Sequence, residues 1–167
     1  MIYTQNTKLA LTISSVVHQN QLDKGDMPYI YHPIIVAENM RTEDETIVAL
    51  LHDTLEDSNE ETGKELMETY ERVFNGKVCE AIQILTKDKK EDYFDYIRRV
   101  KENDIAKAVK LEDLRHNSNL GRLKNPTQKD TRRTKKYLEA IRILQGLEDN
   151  QNVCEADVQD IIAKKVR

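Results

Sequence analysis

Apolar residues recur every three or four positions along almost the whole chain, and this period limits the folds open to it. Residues at that spacing line one face of an α-helix, whereas a half-buried strand needs alternation of apolar and polar side chains. Such alternation is hard to find here. Five glycines, three prolines and no tryptophan among 167 residues are typical of a mostly helical, soluble protein. The sequence therefore predicts an all-α fold.

Proline and capping signals place the predicted helix ends. Thr42, with Glu45 three residues later, has the form of a capping box. Pro33 suits a first helical turn, which would make His32 the N-cap at a loop-to-helix corner. Thr127 follows Asn-Pro and is expected to cap a new helix. Helices are predicted at about 7–20, from 33, from 42 through 55, and at 62–72, 76–86, 92–103, 104–120, 127–148 and 154–166. The first is expected to bury Leu9, Ile13, Val16 and Val17.

The length suits one domain with a real core, and no repeat, linker or low-complexity tract divides the chain. No run approaches about 18 apolar residues, and the first residues do not resemble a signal peptide. We therefore expect a cytoplasmic protein that does not associate with membranes. Cys79 and Cys154 are isolated and are expected to be free thiols rather than a disulfide framework.

Charge is unevenly distributed along the chain. The net charge of −4 argues against a general nucleic-acid binder. Residues 41–80 carry a net charge of −8, however, and residues 107–136 carry a net charge of +7. These segments can be two solvated faces that attract each other. They can also be an acidic wall that holds a metal opposite a basic wall that receives a phosphorylated small molecule, and both interpretations can hold at once.

Three short motifs contain the residue types of a metal-dependent hydrolase. They are PYIYHP with His32, HDTLED at 52–57 and KLEDLRHN at 110–117. Histidine suits Zn, Fe, Ni and Mn, and carboxylates shift the preference toward Mn and Mg. On a helix, the side chains of HDTLED would form one polar stripe, because residues four apart lie on the same face. Each motif alone has an ordinary explanation as an acidic edge, an ion pair or a core histidine. Their joint occurrence predicts a metal site.

In this order, the three motifs resemble the HD-domain superfamily, in its RelA/SpoT-like hydrolase branch. That family removes the 3′-pyrophosphate from guanosine tetra- and pentaphosphate with one manganese ion. The resemblance covers about 8–147 and is closest to the stand-alone small hydrolases. It implies one compact HD-type domain over 1–167, with the metal between central helices, a core at about 8–147 and a C-terminal helix at about 154–166. That last helix would dock on its own domain or on a partner subunit, and the oligomeric state stays open.

The resemblance also implies roles for individual residues. The ligands of one divalent ion, Mn²⁺ by this analogy, would be His32, His52, Asp53 and Asp113. Glu56 and Asp57 would activate or orient the attacking water. The small-molecule nucleotide substrate would contact Lys24, Tyr29 and Asn117. Lys110 and Arg115 are candidates for neutralising the leaving group, and His18 is expected to be structural.

One position departs from the family pattern. Asp23 stands where the family usually has an arginine that stacks on guanine. An aspartate cannot stack in that way, and it places negative charge beside a polyanionic ligand. The metal chemistry is unaffected, but guanine selectivity does not follow. Two alternatives therefore stay open: an HD-type nucleotidase or nucleotide pyrophosphohydrolase with a different base specificity, and a non-catalytic sensor that binds metal and nucleotide.

Overall fold

The computed structural model describes residues 1–147, and within them it contains eight α-helices, one 3-10 turn and no strand. This confirms the all-α prediction. The helix predicted at 154–166 lies outside the described residues, so the domain bounds stay a prediction. The helices are α1 (Gln5–Val17), α2 (Tyr31–Glu38), α3 (Glu43–Leu51), α4 (Glu60–Val73), α5 (Gly76–Leu85), α6 (Tyr93–Lys101), α7 (Asp104–Ser118) and α8 (Gln128–Leu144), and the 3-10 turn is Leu120–Arg122.

Side-chain caps define most helix starts. Thr42 accepts from the amide of Glu45, whose carboxylate accepts from the Thr42 amide in return, so the predicted capping box is present. Thr127 caps α8 in the same reciprocal way with Asp130. Other helices begin at the side-chain caps Asn59, Asn75, Asp92 and Asn103.

Helix α3 lies at the centre of the fold. It packs against α1, α2, α5 and α7, and α2 and α7 also contact each other. Every residue of α3 from Thr46 to Leu51 is buried. Each fully buried leucine there stabilises the fold by about 1.5–3 kcal/mol relative to an exposed one. The mutual contact of α2, α3 and α7 places residues from distant motifs in one part of the core.

The predicted buried face of the first helix is wrong for Leu9 and Val16, whereas Ile13 is partly buried and packs against the core. Leu9 and Val16 are 39% and 61% exposed, whereas Ala10 and Ser14 are fully buried. Helix α1 packs closely against α3, and small side chains at the contact permit that approach. Leu9 and Val16 are therefore left on the outer side of α1.

Two expectations about the motifs also need correction. His32 lies inside the first turn of α2, whose N-cap is Ile30. Helix α3 ends at Leu51, so HDTLED forms consecutive turns beyond the helix rather than a polar stripe on it. The Thr54 hydroxyl donates to the Leu51 carbonyl at 2.6 Å and meets the Tyr70 hydroxyl at 2.8 Å. This local bond competes with continuation of the helix.

None of the helices within residues 1–147 combines the length and the apolar character that crossing a membrane requires.

Candidate metal centre

Four side chains from the three motifs converge between α2, α3 and α7. His32 comes from the first turn of α2, and His52 and Asp53 follow the last residue of α3. Ligand atoms of these three residues lie within 4.8 Å of one another. Asp113, from the buried face of α7, joins them, with Oδ1 at 3.2 Å from Nε2 of His32 and 4.0 Å from Nε2 of His52. The structure thus brings together all four residues that the sequence predicts as ligands.

The hydrogen bonding of Nε2 in His32 and His52 indicates whether these four residues can bind a cation. Both are buried and lack a hydrogen bond within the described residues. Nε2 of His52 nevertheless lies 2.9 Å from Oδ2 of Asp53, and Nε2 of His32 lies 3.5 Å from the same oxygen. Buried polar atoms without partners are uncommon in folded proteins. Two imidazole nitrogens and two carboxylates are a donor set that fits Mn, Fe, Ni or Zn.

Neighbouring groups orient both imidazole rings. Nδ1 of His52 donates to the carbonyl of Ala49 at 2.8 Å, which leaves the lone pair of the neutral ring on Nε2. Nδ1 of His32 lies 2.7 Å from Nδ1 of His116, and the two rings stack. Bonds of this kind to the far nitrogen fix the tautomer and direction of a metal-binding histidine. The rings are therefore preorganised with Nε2 toward the carboxylates.

Electrostatics keep the carboxylates ionised. Burial by itself would raise the pKa of Asp53, but the neighbouring His52 and His32 hold that pKa well below its usual value. Burial likewise opposes ionisation of Asp113, and Lys110 with Nζ at 2.8 Å, together with His32, lowers its pKa. Both groups thus present negative charge to a cation.

Two residues predicted for other roles also contact Asp113. Nδ2 of Asn117 donates to Oδ1 of Asp113 at 2.5 Å, whereas the resemblance placed Asn117 near the nucleotide. Lys110 pairs with the other oxygen, Oδ2, and lies over the Tyr96 ring. Arg115, the other expected leaving-group cation, pairs with Glu112.

Tyr29 also contacts a ligand residue directly. Its hydroxyl donates to Oδ2 of Asp53. Burial and then the charge of Asp53 raise the pKa of Tyr29, so the hydroxyl keeps its proton. Tyr29, near the end of the loop between α1 and α2, therefore lies beside the predicted metal ligands.

The Glu-Asp pair after the ligands is held from two sides. Oε1 of Glu56 accepts from the amide of Lys87 at 2.6 Å, and burial raises the pKa of Glu56. Oδ2 of Asp57 accepts from Nε2 of Gln21 at 2.9 Å, and Oε1 of that glutamine lies 2.7 Å from Nδ1 of buried His18. His18 thus has the structural position that the sequence predicts.

Sequence reasoning missed three residues of this neighbourhood. Gln21 and Lys87 lie outside the motifs, and no local pattern indicates their contacts with Asp57 and Glu56. His116 had a usable signal, because it lies within KLEDLRHN. Its ring is neutral, since burial and the charge of His32 lower its pKa to about 4.

Lys24 lies in the loop that connects α1 with α2. It lines a cavity of about 450 Å³ between that loop and residues 123–125. The four predicted ligands do not line this cavity. The region thus holds two neighbouring features, the metal cluster in the core and an open cavity beside the loop.

Comparison with known proteins gives a consistent assignment. No protein-family model matches the chain. It is 32% identical over 163 residues to guanosine-3′,5′-bis(diphosphate) 3′-pyrophosphohydrolase MESH1 of Danio rerio, covering 89% of this chain and 87% of that protein. It is 38% identical over 84 residues to a GTP pyrophosphokinase of Myxococcus xanthus, covering 48% of this chain but 10% of that longer protein.

A solved structure has the same fold. It is that of a metazoan ortholog of SpoT that hydrolyses ppGpp, and it matches with a TM-score of 0.68 at 23% identity. The match covers 98% of this chain and 97% of that one. Because the match to MESH1 covers most of both chains, we conclude that the chain belongs to the HD-domain superfamily, in its branch of RelA/SpoT-like hydrolases.

Proposed function

We propose that this hydrolase is a metal-dependent 3′-pyrophosphohydrolase of guanosine 3′,5′-bis(diphosphate). The observation that supports the proposal most directly is the position of two Nε2 atoms without hydrogen bonds beside two ionised carboxylates in the core. The relative from Danio rerio, similar over nearly its whole length, is named for this activity. The substrate would be a free small-molecule nucleotide, and we propose that the protein acts in the cytoplasm.

The proposed ligands of one divalent cation are His32, His52, Asp53 and Asp113. Mn²⁺ is the proposed ion, because a mixed imidazole and carboxylate set suits a cation of intermediate hardness. When bound, such a cation supplies the Lewis acidity that makes a water nucleophilic near neutral pH.

Glu56 and Asp57 are proposed to position that water and to transfer its proton. Glu56 suits this exchange, because burial raises its pKa above the usual carboxyl value. The backbone amide of Lys87 fixes one of its oxygens. Asp57 is oriented through Gln21 and suits positioning.

A substrate panel tests the proposal. Purified protein is stripped of metal, reloaded with Mn²⁺ and incubated with guanosine tetraphosphate, ordinary nucleoside triphosphates and nucleoside monophosphates. Pyrophosphate release from guanosine tetraphosphate, absent in Asp53→Asn, supports the proposal. Orthophosphate from monophosphates would instead identify a nucleotidase, and pyrophosphate from ordinary nucleotides a different base specificity. Tight binding without products would identify a sensor.

A further inference from the structure

A guanidinium on α6 bridges the connection between α5 and α6, residues 86–92, which we call the α5–α6 turn. Nε and Nη2 of Arg99 donate to Oε1 and Oε2 of Glu91 at 2.9 and 2.7 Å, which makes the pair bidentate. Glu91 is 20% exposed, so water screens the pair less than a fully exposed one. Nη1 of Arg99 donates to the carbonyl of Ile84, in the last turn of α5, at 2.8 Å. Arg99 therefore contacts the chain just before the turn and again near its far end.

Helix α6 also fixes the point at which the α5–α6 turn begins. The last carbonyls of a helix have no partner within it, so they need donors from elsewhere. Arg99 supplies one to Ile84, and the hydroxyl of buried Tyr96 donates to the carbonyl of Leu85 at 2.7 Å. The guanidinium of Arg99 lies over the Tyr96 ring, with Cζ 5.4 Å from the ring centroid. The end of α5 is thus held by two side chains of the next helix.

Hydrogen bonds to Asp88 close the interior of the turn. Its Oδ1 accepts from the amide of Lys90 at 2.7 Å, and its carbonyl accepts from the amide of Glu91 at 3.2 Å. An aspartate that accepts from the backbone two residues later is typical of a tight turn. The path from Asp88 to Glu91 is therefore bonded internally, and Arg99 holds its far end.

One amide of the turn contacts the HDTLED motif. The amide of Lys87 donates to Oε1 of Glu56 at 2.6 Å, across 31 positions of sequence. A glutamate side chain has a large rotamer entropy, so its carboxylate keeps one direction only where a partner holds it. Because this donor is a backbone group, its position depends on the path of the turn. The contacts that hold the turn therefore also direct Glu56.

We propose that Arg99 is a positioning residue for the reaction, because it holds the α5–α6 turn where the amide of Lys87 fixes the carboxylate of Glu56. The inference rests on the proposed function, which gives Glu56 its role in proton transfer. The acceptors of Arg99 are Glu91 and Ile84, and neither is a proposed ligand or substrate contact. The influence of Arg99 on the reaction thus passes through the orientation of Glu56.

Hydrogen–deuterium exchange of the Mn²⁺-loaded protein, resolved to single residues by mass spectrometry, tests the inference without turnover. Arg99→Lys keeps the positive charge but loses the planar set of donors. We expect the Lys87 amide to exchange about tenfold faster in this variant, since a hydrogen bond to a charged group is lost. Glu56→Ala should have the same effect on that amide. Arg98→Lys, next to Arg99 and paired with exposed Asp95, is the control and should leave the exchange rate unchanged.

Steady-state hydrolysis of guanosine tetraphosphate gives a second readout. We expect the kcat of Arg99→Lys to fall by about 10- to 100-fold, because a small displacement of a reacting group is costly. KM and the amount of bound Mn²⁺ should stay at the wild-type values. Glu91→Gln breaks the same pair from its other side and should behave alike. In the Glu56→Gln background, Arg99→Lys should lower kcat no further, because residues that act through one group are not additive.

Several results would overturn the inference. One is exchange of the Lys87 amide at the wild-type rate in Arg99→Lys. Another is faster exchange throughout the domain instead of in the α5–α6 turn, which would mean that Arg99 stabilises the whole fold. A wild-type kcat in Arg99→Lys, or a fall of the same size in the Glu56→Gln background, would show that Arg99 does not act through Glu56.

Failure of the proposed activity gives a different pattern. If the wild-type protein releases no pyrophosphate from guanosine tetraphosphate, the proposed function is wrong, and the exchange rates alone decide whether Arg99 orients Glu56. Pyrophosphate release by the wild-type protein, together with an unchanged Lys87 amide in Arg99→Lys, would leave the activity standing and exclude the role of Arg99.

Discussion

The hydroxyl of Tyr29 donates a hydrogen bond to Oδ2 of Asp53, the same oxygen that lies 2.9 Å from Nε2 of His52. Tyr29 thus orients a carboxylate that we propose as a metal ligand. Groups that hold ligands in this way contribute strongly to metal affinity, and their loss costs about 10–100-fold.

Tyr29→Phe removes this hydroxyl and little else. We expect Mn²⁺ affinity to fall by about 10–100-fold, measured by isothermal titration calorimetry. Tyr31→Phe, on a side chain that is half exposed, is the control and should bind Mn²⁺ like the wild-type protein. Unchanged Mn²⁺ affinity in Tyr29→Phe, with weaker nucleotide binding, would return Tyr29 to the purely substrate-binding role that the sequence suggested.

Glu56→Gln tests the proton-transfer role. Its amide cannot accept a proton from water, so we expect kcat to fall by about 10²–10⁴-fold while bound Mn²⁺ stays stoichiometric. Steady-state kinetics and metal analysis of the same sample give both values. Glu60→Gln, an exposed carboxylate paired with Lys64, is the control. Full turnover by Glu56→Gln would exclude Glu56 from proton transfer.

Metal binding should strengthen as pH rises. Burial lowers the pKa of His32, but the adjacent carboxylates of Asp113 and Asp53 outweigh it and raise this pKa to about 9 in the metal-free protein. Nε2 must lose its proton before it can bind a cation, so below about pH 9 the cation competes with that proton. The pKa of His52 is also raised, which acts in the same direction.

We expect the Mn²⁺ association constant to rise by about tenfold per pH unit for each proton released, and to level off above about pH 9. Anaerobic titrations at pH 6.5, 7.5, 8.5 and 9.5 measure this slope. A constant that does not change between pH 6.5 and 8.5 would show that both imidazoles are already neutral in the metal-free protein.

Thr42→Ala should lower the free energy of unfolding by about 1 kcal/mol, because it removes the cap of α3. Urea denaturation monitored by circular dichroism measures the change. Thr42→Ser keeps the hydroxyl oxygen that accepts from Glu45 and should be close to wild type. Equal stability of all three proteins would mean that other contacts hold this end of the helix.

The fold class could be predicted because its signals are local, and the set of ligands because the order of the three motifs resembles a known family. Helical periodicity and capping residues can be recognised within a few neighbouring residues, and the candidate ligands occur in three compact motifs. The buried face of α1 could not be predicted in this way. Hydrophobicity favoured Leu9 and Val16, but close packing on α3 selected the small residues Ala10 and Ser14.

The remaining differences come from interactions between segments far apart in sequence. The turns of HDTLED depend on Thr54, whose hydroxyl also meets Tyr70 of α4. The pairing of Asp23 with Arg122 crosses 99 positions, so no periodicity indicates it. Asp23 looked unfavourable beside a polyanion when considered alone. Its partner removes most of that difficulty, because the carboxylate is neutralised within the fold.

The four converging side chains come from separate segments, with 80 residues between the first and the last, His32 and Asp113. An unfolded chain cannot present them together, so a cation at this position binds only the native state. Its binding free energy then adds to the resistance of the protein to heat. A hundredfold excess of free ion over its dissociation constant would contribute about 2.7 kcal/mol. Deprived of that ion, the protein would be in its least heat-tolerant form.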